Sequence, residues 1–182
     1  NLLSILLVSI ILMGCSENNV LKDDLEDIKG DYFSEEIVMT VYEDRKIWIK
    51  RFKKIGNKLK LSKLEDYYTN GQLESEKNYK DGKKDGLQRG WYENGQLEYE
   101  ENYKDGKSDG VLKYWDENGK LDREGNYKDG KQDGLWKWWY KNGQLRGEGN
   151  YKDDKKDGLQ KEWFENGKLK YETNYKDGKR ID

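Results

Sequence analysis

The sequence predicts an all-β fold, an elongated single-layer meander of β-hairpin repeats, and three observations predict it. Asn-Gly stands at Asn70-Gly71, Asn94-Gly95, Asn118-Gly119, Asn142-Gly143 and Asn166-Gly167, always 24 residues apart. Asn-Tyr-Lys-Asp recurs with the same step from Asn78, Asn102, Asn126, Asn150 and Asn174. The segments between these turns hold most of the chain's 7 Trp and 14 Tyr, which suits strands. Self-similarity at a fixed period marks a repeat architecture. Glycine returns at least twice in most units and no 3.6-residue apolar period survives, which argues against helices.

Composition agrees with a thin but ordered structure. Of 182 residues, 40% are charged and only 33% hydrophobic, a balance that suggests disorder until the aromatics are counted. A net charge of -2 gives no general pull toward nucleic acid. There is no Pro, so the turns rest on Gly, Asn and Asp. There is no His, which removes the usual neutral-pH acid/base group and the commonest metal ligand. The single Cys excludes an intrachain disulfide and a Cys-cluster zinc site.

Taken in order, the chain opens with an apolar run, Leu2 to Met13. It is too short for a membrane-spanning helix, which needs ~20 residues, and suits the core of a signal peptide. Leu12-Met13-Gly14-Cys15 resembles the lipobox of bacterial lipoproteins. That resemblance implies a signal peptide over 1–14, acylation of Cys15, and a polar tether over 15–30. Ser16 after the Cys implies delivery to the outer membrane where the cell has one. Ile37 to Leu64 is richer in aliphatic side chains than the repeats that follow, and Tyr42-Glu43-Asp44-Arg45-Lys46-Ile47 reads as a worn hairpin. We read residues 31–61 as a degenerate N-terminal cap. Five repeats follow, at 62–85, 86–109, 110–133, 134–157 and 158–181.

Each repeat reads as two short strands. Asn-Gly and Asp-Gly supply the positive φ that tight hairpins require. Numbered from the opening Gly, Leu at two, Trp at six, Leu at twelve and Tyr at eighteen are all even, which predicts one shared apolar face. A three-residue Glu-Asn-Gly loop pairs Trp91 with Leu97 and Trp163 with Leu169. A two-residue turn instead pairs Lys113 with Glu124 and Lys137 with Glu148. Gathering the apolar side chains favours the first.

The unit Tyr103-x-x-Gly106-Lys107-x-x-Gly110, with Trp91-Tyr92 and Glu165-Asn166-Gly167-Lys168-Leu169 as its flanking elements, resembles the MORN-repeat variant of antitoxin-like proteins of the YwqK type. The likeness covers about residues 62–181. It implies a single-layer array of hairpins that holds another protein or a membrane surface. Repeat four departs from the pattern, with Asp154 where the turn glycine belongs.

The sequence offers no catalytic constellation, no metal site and no cofactor motif, and we read the chain as a binding scaffold and not an enzyme. Glu76, Glu100, Glu124, Glu148 and Glu172 recur identically, as do Asp81, Asp105, Asp129, Asp153 and Asp177. Catalytic carboxylates need environments that differ, so these read as cross-strand partners and turn formers. One feature breaks the repetition. Trp136, Trp138 and Tyr140 fall at odd positions of repeat four, with Tyr114 at an odd position of repeat three. Odd positions elsewhere, such as Asp66, Gly90 and Glu162, have no reason to be buried. The four aromatics therefore read as an exposed patch for a protein partner, or for a glycan as the alternative.

Overall fold

The structure, a computed structural model, describes residues 36–43 and 46–181. The signal peptide, Cys15, the tether and residues 31–35 of the expected cap lie outside the described residues. The chain divides into two units, one running to Gly82 and one from Lys83. No helix occurs among the described residues, and both units are antiparallel meanders.

The first unit contains β1 (Glu36–Glu43), β2 (Lys46–Ile55), β3 (Lys58–Tyr67) and β4 (Leu73–Lys80), each paired with the next. The aliphatic segment read as a cap thus forms β1, β2 and the start of β3. Its packing centres on Met39 and Phe52, both buried. Asp66 and Ser75 are buried here too, with the Ser75 hydroxyl and the Lys77 ammonium donating to the Asp66 carboxylate.

The second unit runs β5 (Lys83–Lys84), β6 (Gly86–Trp91), β7 (Leu97–Lys104), β8 (Lys107–Trp115), β9 (Leu121–Lys128), β10 (Lys131–Gln132) and β11 (Gly134–Trp139). It continues through β12 (Leu145–Lys152), β13 (Lys155–Trp163), β14 (Leu169–Lys176) and β15 (Lys179–Arg180). From β6 to β14 each long strand pairs with the next long strand in sequence.

Two turn types alternate. At Asp105-Gly106 both residues are left-handed, φ 50° and 87°, and Lys104 pairs with Lys107 across a two-residue turn. Such a turn matches the twist of the strands it joins. At the Asn-Gly turns only glycine is left-handed, as at Gly95 with φ 83°. There the Gly95 N–H donates to the Tyr92 carbonyl at 2.8 Å and the Tyr92 N–H to the Gln96 carbonyl at 2.9 Å. This is the expected three-residue Glu-Asn-Gly loop.

The two pairings that the sequence set against each other both occur. Trp91 faces Leu97 and Trp163 faces Leu169, while Lys113 faces Glu124 and Lys137 faces Glu148. A β-bulge reconciles them. In the second repeat the pair after Trp91–Leu97 is Gly90–Tyr99, so Glu98 is left without an opposite residue. Asp122, Arg146 and Lys170 take the same place in the later repeats.

That extra residue corrects the expected face assignment. A bulge shifts the alternation by one, so Tyr at position eighteen joins positions three and five, not two, six and twelve. The closely packed face is therefore the odd one of the first strand. Its third positions, Gln88, Leu112, Trp136 and Gln160, are all buried, whereas Leu135 on the opposite face is 44% exposed. The expectation that Asp66 and Gly90 have no reason to be buried is overturned for the same reason.

The opposite face carries a ladder of alternating charge. In register across the second unit stand Arg89, Glu100, Lys113, Glu124, Lys137, Glu148, Lys161 and Glu172. Arg89 meets Glu100 at 2.8 Å and Lys161 meets Glu172 at 3.1 Å. Opposite charges facing across strands stabilise by ~0.2–1 kcal/mol each, and like charges would destabilise. Glu100, Glu124, Glu148 and Glu172 are thus cross-strand partners of cations, whereas Glu76 stands opposite Glu65 and meets Lys63 at 2.9 Å.

Candidate aromatic binding site

The aromatic side chains of the packed face form two groups of ring contacts in repeats two to four. Tyr99 and Tyr114 stack with centroids 5.6 Å apart. The Arg123 guanidinium lies 4.0 Å from the centroid of Tyr114, a cation–π contact. Further along, Tyr127 meets Trp136 edge-on at 5.1 Å, Trp136 stacks on Trp138 at 6.1 Å, and Trp138 meets Tyr151 at 6.2 Å.

Glycines make room for these rings. Trp136 pairs with Gly149 on one side, and a Cβ at Gly125 on the other would lie 2.2 Å from its indole. Trp138 pairs with Gly147, and a Cβ at Gly90 would come within 2.2 Å of the Tyr99 ring. Large side chains facing glycine let a single layer bury aromatic area without a second sheet.

Of the four residues expected to form an exposed patch, three come together and one does not. Trp136 is 3% exposed and forms a floor, its indole N–H donating to the Asn126 carbonyl at 3.2 Å. Tyr114 and Trp138 are half-buried walls. Tyr140 sits at the loop end of its hairpin, where its hydroxyl donates to the Trp163 carbonyl at 2.8 Å. It fastens one repeat to the next, as Tyr92 does to Trp115 at 2.7 Å. The exposure expected of the patch is corrected accordingly.

Between these walls lies a depression of about 290 Å³, bordered by Glu101, Tyr114, Arg123, Gln132, Trp136 and Trp138. Glu101 is held by the Ser108 hydroxyl at 2.6 Å and the Tyr103 hydroxyl at 3.1 Å. Burial pushes the Tyr99 phenol up to about 12 and raises Tyr127 and Tyr151 as well. The site thus presents ring faces, one guanidinium, one carboxylate and one amide.

Sequence reasoning found the aromatics but missed Glu101, Arg123 and Gln132, and it missed the floor. The available signal was the run of glycines at Gly125, Gly147 and Gly149, which coincide with the two extra tryptophans. The recurring aspartates do other work. Asp81, Asp105, Asp129, Asp153 and Asp177 all carry positive φ in their turns. Asp85, Asp109 and Asp157 each accept a bond from the turn N–H of the following repeat, at 3.1–3.4 Å. Among the described residues no three His, Cys, Asp or Glu side chains converge as a metal site would require.

The family described as MORN repeat variant matches residues 63–81, 84–105, 108–129, 132–153 and 156–177. The chain belongs to this family. Its matched segments follow the 24-residue step, so each MORN repeat variant here is one hairpin and its two turns. No curated protein matches the chain. Family membership makes it a structural repeat scaffold, and the aromatic depression is a feature of three particular repeats on that scaffold.

Proposed function

We propose that this protein is a lipid-anchored scaffold of the bacterial cell envelope that holds a partner protein against the aromatic depression, in the manner of an antitoxin or immunity protein. The observation that carries this reading is the half-buried pair Tyr114 and Trp138, set beside Arg123 over a Trp136 floor. Trp, Tyr and Arg in a desolvated setting are the residue types that dominate protein interfaces. The anchor rests on Cys15 and the apolar run before it, since two or more acyl chains hold a protein stably at a membrane.

A second reading, a glycan or cell-wall ligand, draws on the ring faces of Tyr114 and Trp138 with Glu101 and Gln132 beside them. One experiment separates the two. A photo-crosslinking residue in place of Tyr114, activated in cells, should join the scaffold to one discrete protein. The yield should fall when Arg123→Glu is added. No protein adduct, together with specific retention on a glycan array, would replace the first reading by the second. For the anchor, Cys15→Ser should move the protein out of the detergent phase, and unchanged partitioning would remove the lipoprotein assignment.

A further inference from the structure

Among the described residues the charge ladder reaches Glu172, and the strand that bears it has no partner along most of its outer side. β14 pairs with β13 along its inner edge. On its outer edge β15 meets only Tyr175 and Lys176, so Leu169 to Thr173 face no strand among the described residues. Every earlier glutamate of the ladder from Glu100 to Glu148 lies between two cations, but Glu172 has Lys161 on one side only. Leu169 is 51% exposed, while its counterparts Leu97, Leu121 and Leu145 are partly covered.

The rim of this edge is apolar. Phe164 stands where Tyr92 and Tyr140 place the hydroxyl that bonds the following hairpin. Ile181 stands where Asp85, Asp109 and Asp157 place their carboxylates. Both replacements are exposed, Phe164 at 49% and Ile181 at 62%.

The molecule shows three times what such an edge accepts. The strands laid against β7, β9 and β12 carry Val111-x-Lys113-x-Trp115, Leu135-x-Lys137-x-Trp139 and Leu159-x-Lys161-x-Trp163. In each, the cation faces the ladder glutamate, and the apolar residues two before and two after it share its face.

We propose that the outer edge of β14 receives an added β-strand from a partner protein, an extended segment with Lys or Arg opposite Glu172 and apolar side chains two residues to either side. Strand addition of this kind takes affinity from main-chain hydrogen bonds and specificity from alternate side chains. The apolar rim gives the flanking side chains of such a segment somewhere to be buried. This goes beyond the aromatic depression and does not depend on it.

The probe is a labelled peptide with the sequence of residues 108–116, beside the same peptide carrying Lys113→Glu, each titrated by fluorescence anisotropy into the full chain in detergent micelles. The lysine peptide should bind about five- to tenfold more tightly than the glutamate peptide. The chain variant Glu172→Lys should reverse that preference. Hydrogen exchange should slow at Glu172, whose N–H faces the open edge, and not at Tyr171 or Thr173, whose N–H groups face β13. Trp138→Phe in the chain should leave both affinities unchanged, which keeps this result separate from any failure at the depression. Absence of binding, the same preference in Glu172→Lys, or protection appearing at another strand would each overturn the proposal. So would protection of the Glu172 amide that is present without peptide and lost on dilution, since a second copy would then own the edge.

Discussion

Trp136 and Leu135 are neighbours in one strand, yet their environments differ more than their chemistry does. Trp136 lies between Gly125 and Gly149 at 3% exposure, and Leu135 points the other way at 44%. Trp136→Ala should therefore destabilise by about 3–5 kcal/mol, the usual range for a buried Trp. Leu135→Ala should cost about 1 kcal/mol or less, because most of its surface already meets water. Chemical denaturation of both variants checks the contrast, and equal losses would mean that the packed face has been misassigned. Tyr99 supplies a test by pH. Burial holds its phenol up near 12, against 10 for a free tyrosine, so the fold favours the neutral form. Its contribution is complete below pH 10 and is lost as pH rises toward 12, where the unfolded chain ionises first. Tyr99→Phe should flatten that alkaline loss and leave the neutral-pH melting temperature nearly unchanged. Of all this, the sequence shows that the aromatics of repeats three and four are unusual. It hides which way they point, because that depends on a bulge residue with no type of its own.

Each hairpin has one end whose chemistry is legible in the sequence and one feature that is not. Asp-Gly and Glu-Asn-Gly announce their turns through the residues that tolerate left-handed φ, and both turns form as expected. The bulge at Glu98, Asp122, Arg146 and Lys170 is occupied by an acid, an acid, a base and a base. Its side chain is not what the fold requires. Only the requirement that Trp pair with Leu while Lys pairs with Glu reveals it, and those two pairings read as rivals when strand alternation is assumed unbroken. The turn of repeat four offers a test at this scale. Asp154 sits at φ 67° in the place of glycine, and its carboxylate accepts the Gln132 N–H at 2.8 Å. A left-handed non-glycine residue costs ~1–2 kcal/mol, and a hydrogen bond to a charged group returns ~1.5–3 kcal/mol. Asp154→Gly removes both terms and should change stability by about 1 kcal/mol or less. Asp154→Ala keeps the strain and loses the bond, and should destabilise by ~1.5–3 kcal/mol. Thermal melts of the two variants rank them, and a milder effect for Ala than for Gly would reject the account.

In a nearest-neighbour array, what a deletion costs depends on which strands it brings together. Removing residues 134–157 takes out one whole repeat of the second unit and sets β9 against β13. Gly125 then faces Gln160 in place of Gly149, Arg123 faces Glu162, and Glu124 faces Lys161. Each new pair matches small with large or positive with negative. Removing 110–133 has the same length and the same period but sets β7 against β11. Glu100 still faces Lys137, yet Trp136 now meets Glu101 instead of Gly125, whose missing Cβ gave the indole its place. A twelve-residue deletion of 110–121 joins β7 to β9 and sets Glu101 against Glu124, a like-charge pair that sheets avoid, with Glu100 opposite Gly125. The expected order of melting temperatures is therefore the parent first, then the 134–157 deletion, then the 110–133 deletion, with the half-repeat deletion last. Circular dichroism should show the β signal kept in the first deletion and largely lost in the half-repeat variant. If the two whole-repeat deletions melted together, the Gly125–Trp136 fit would carry no weight. Repeat identity alone, without the pairing of particular side chains, would then set the stability of the array.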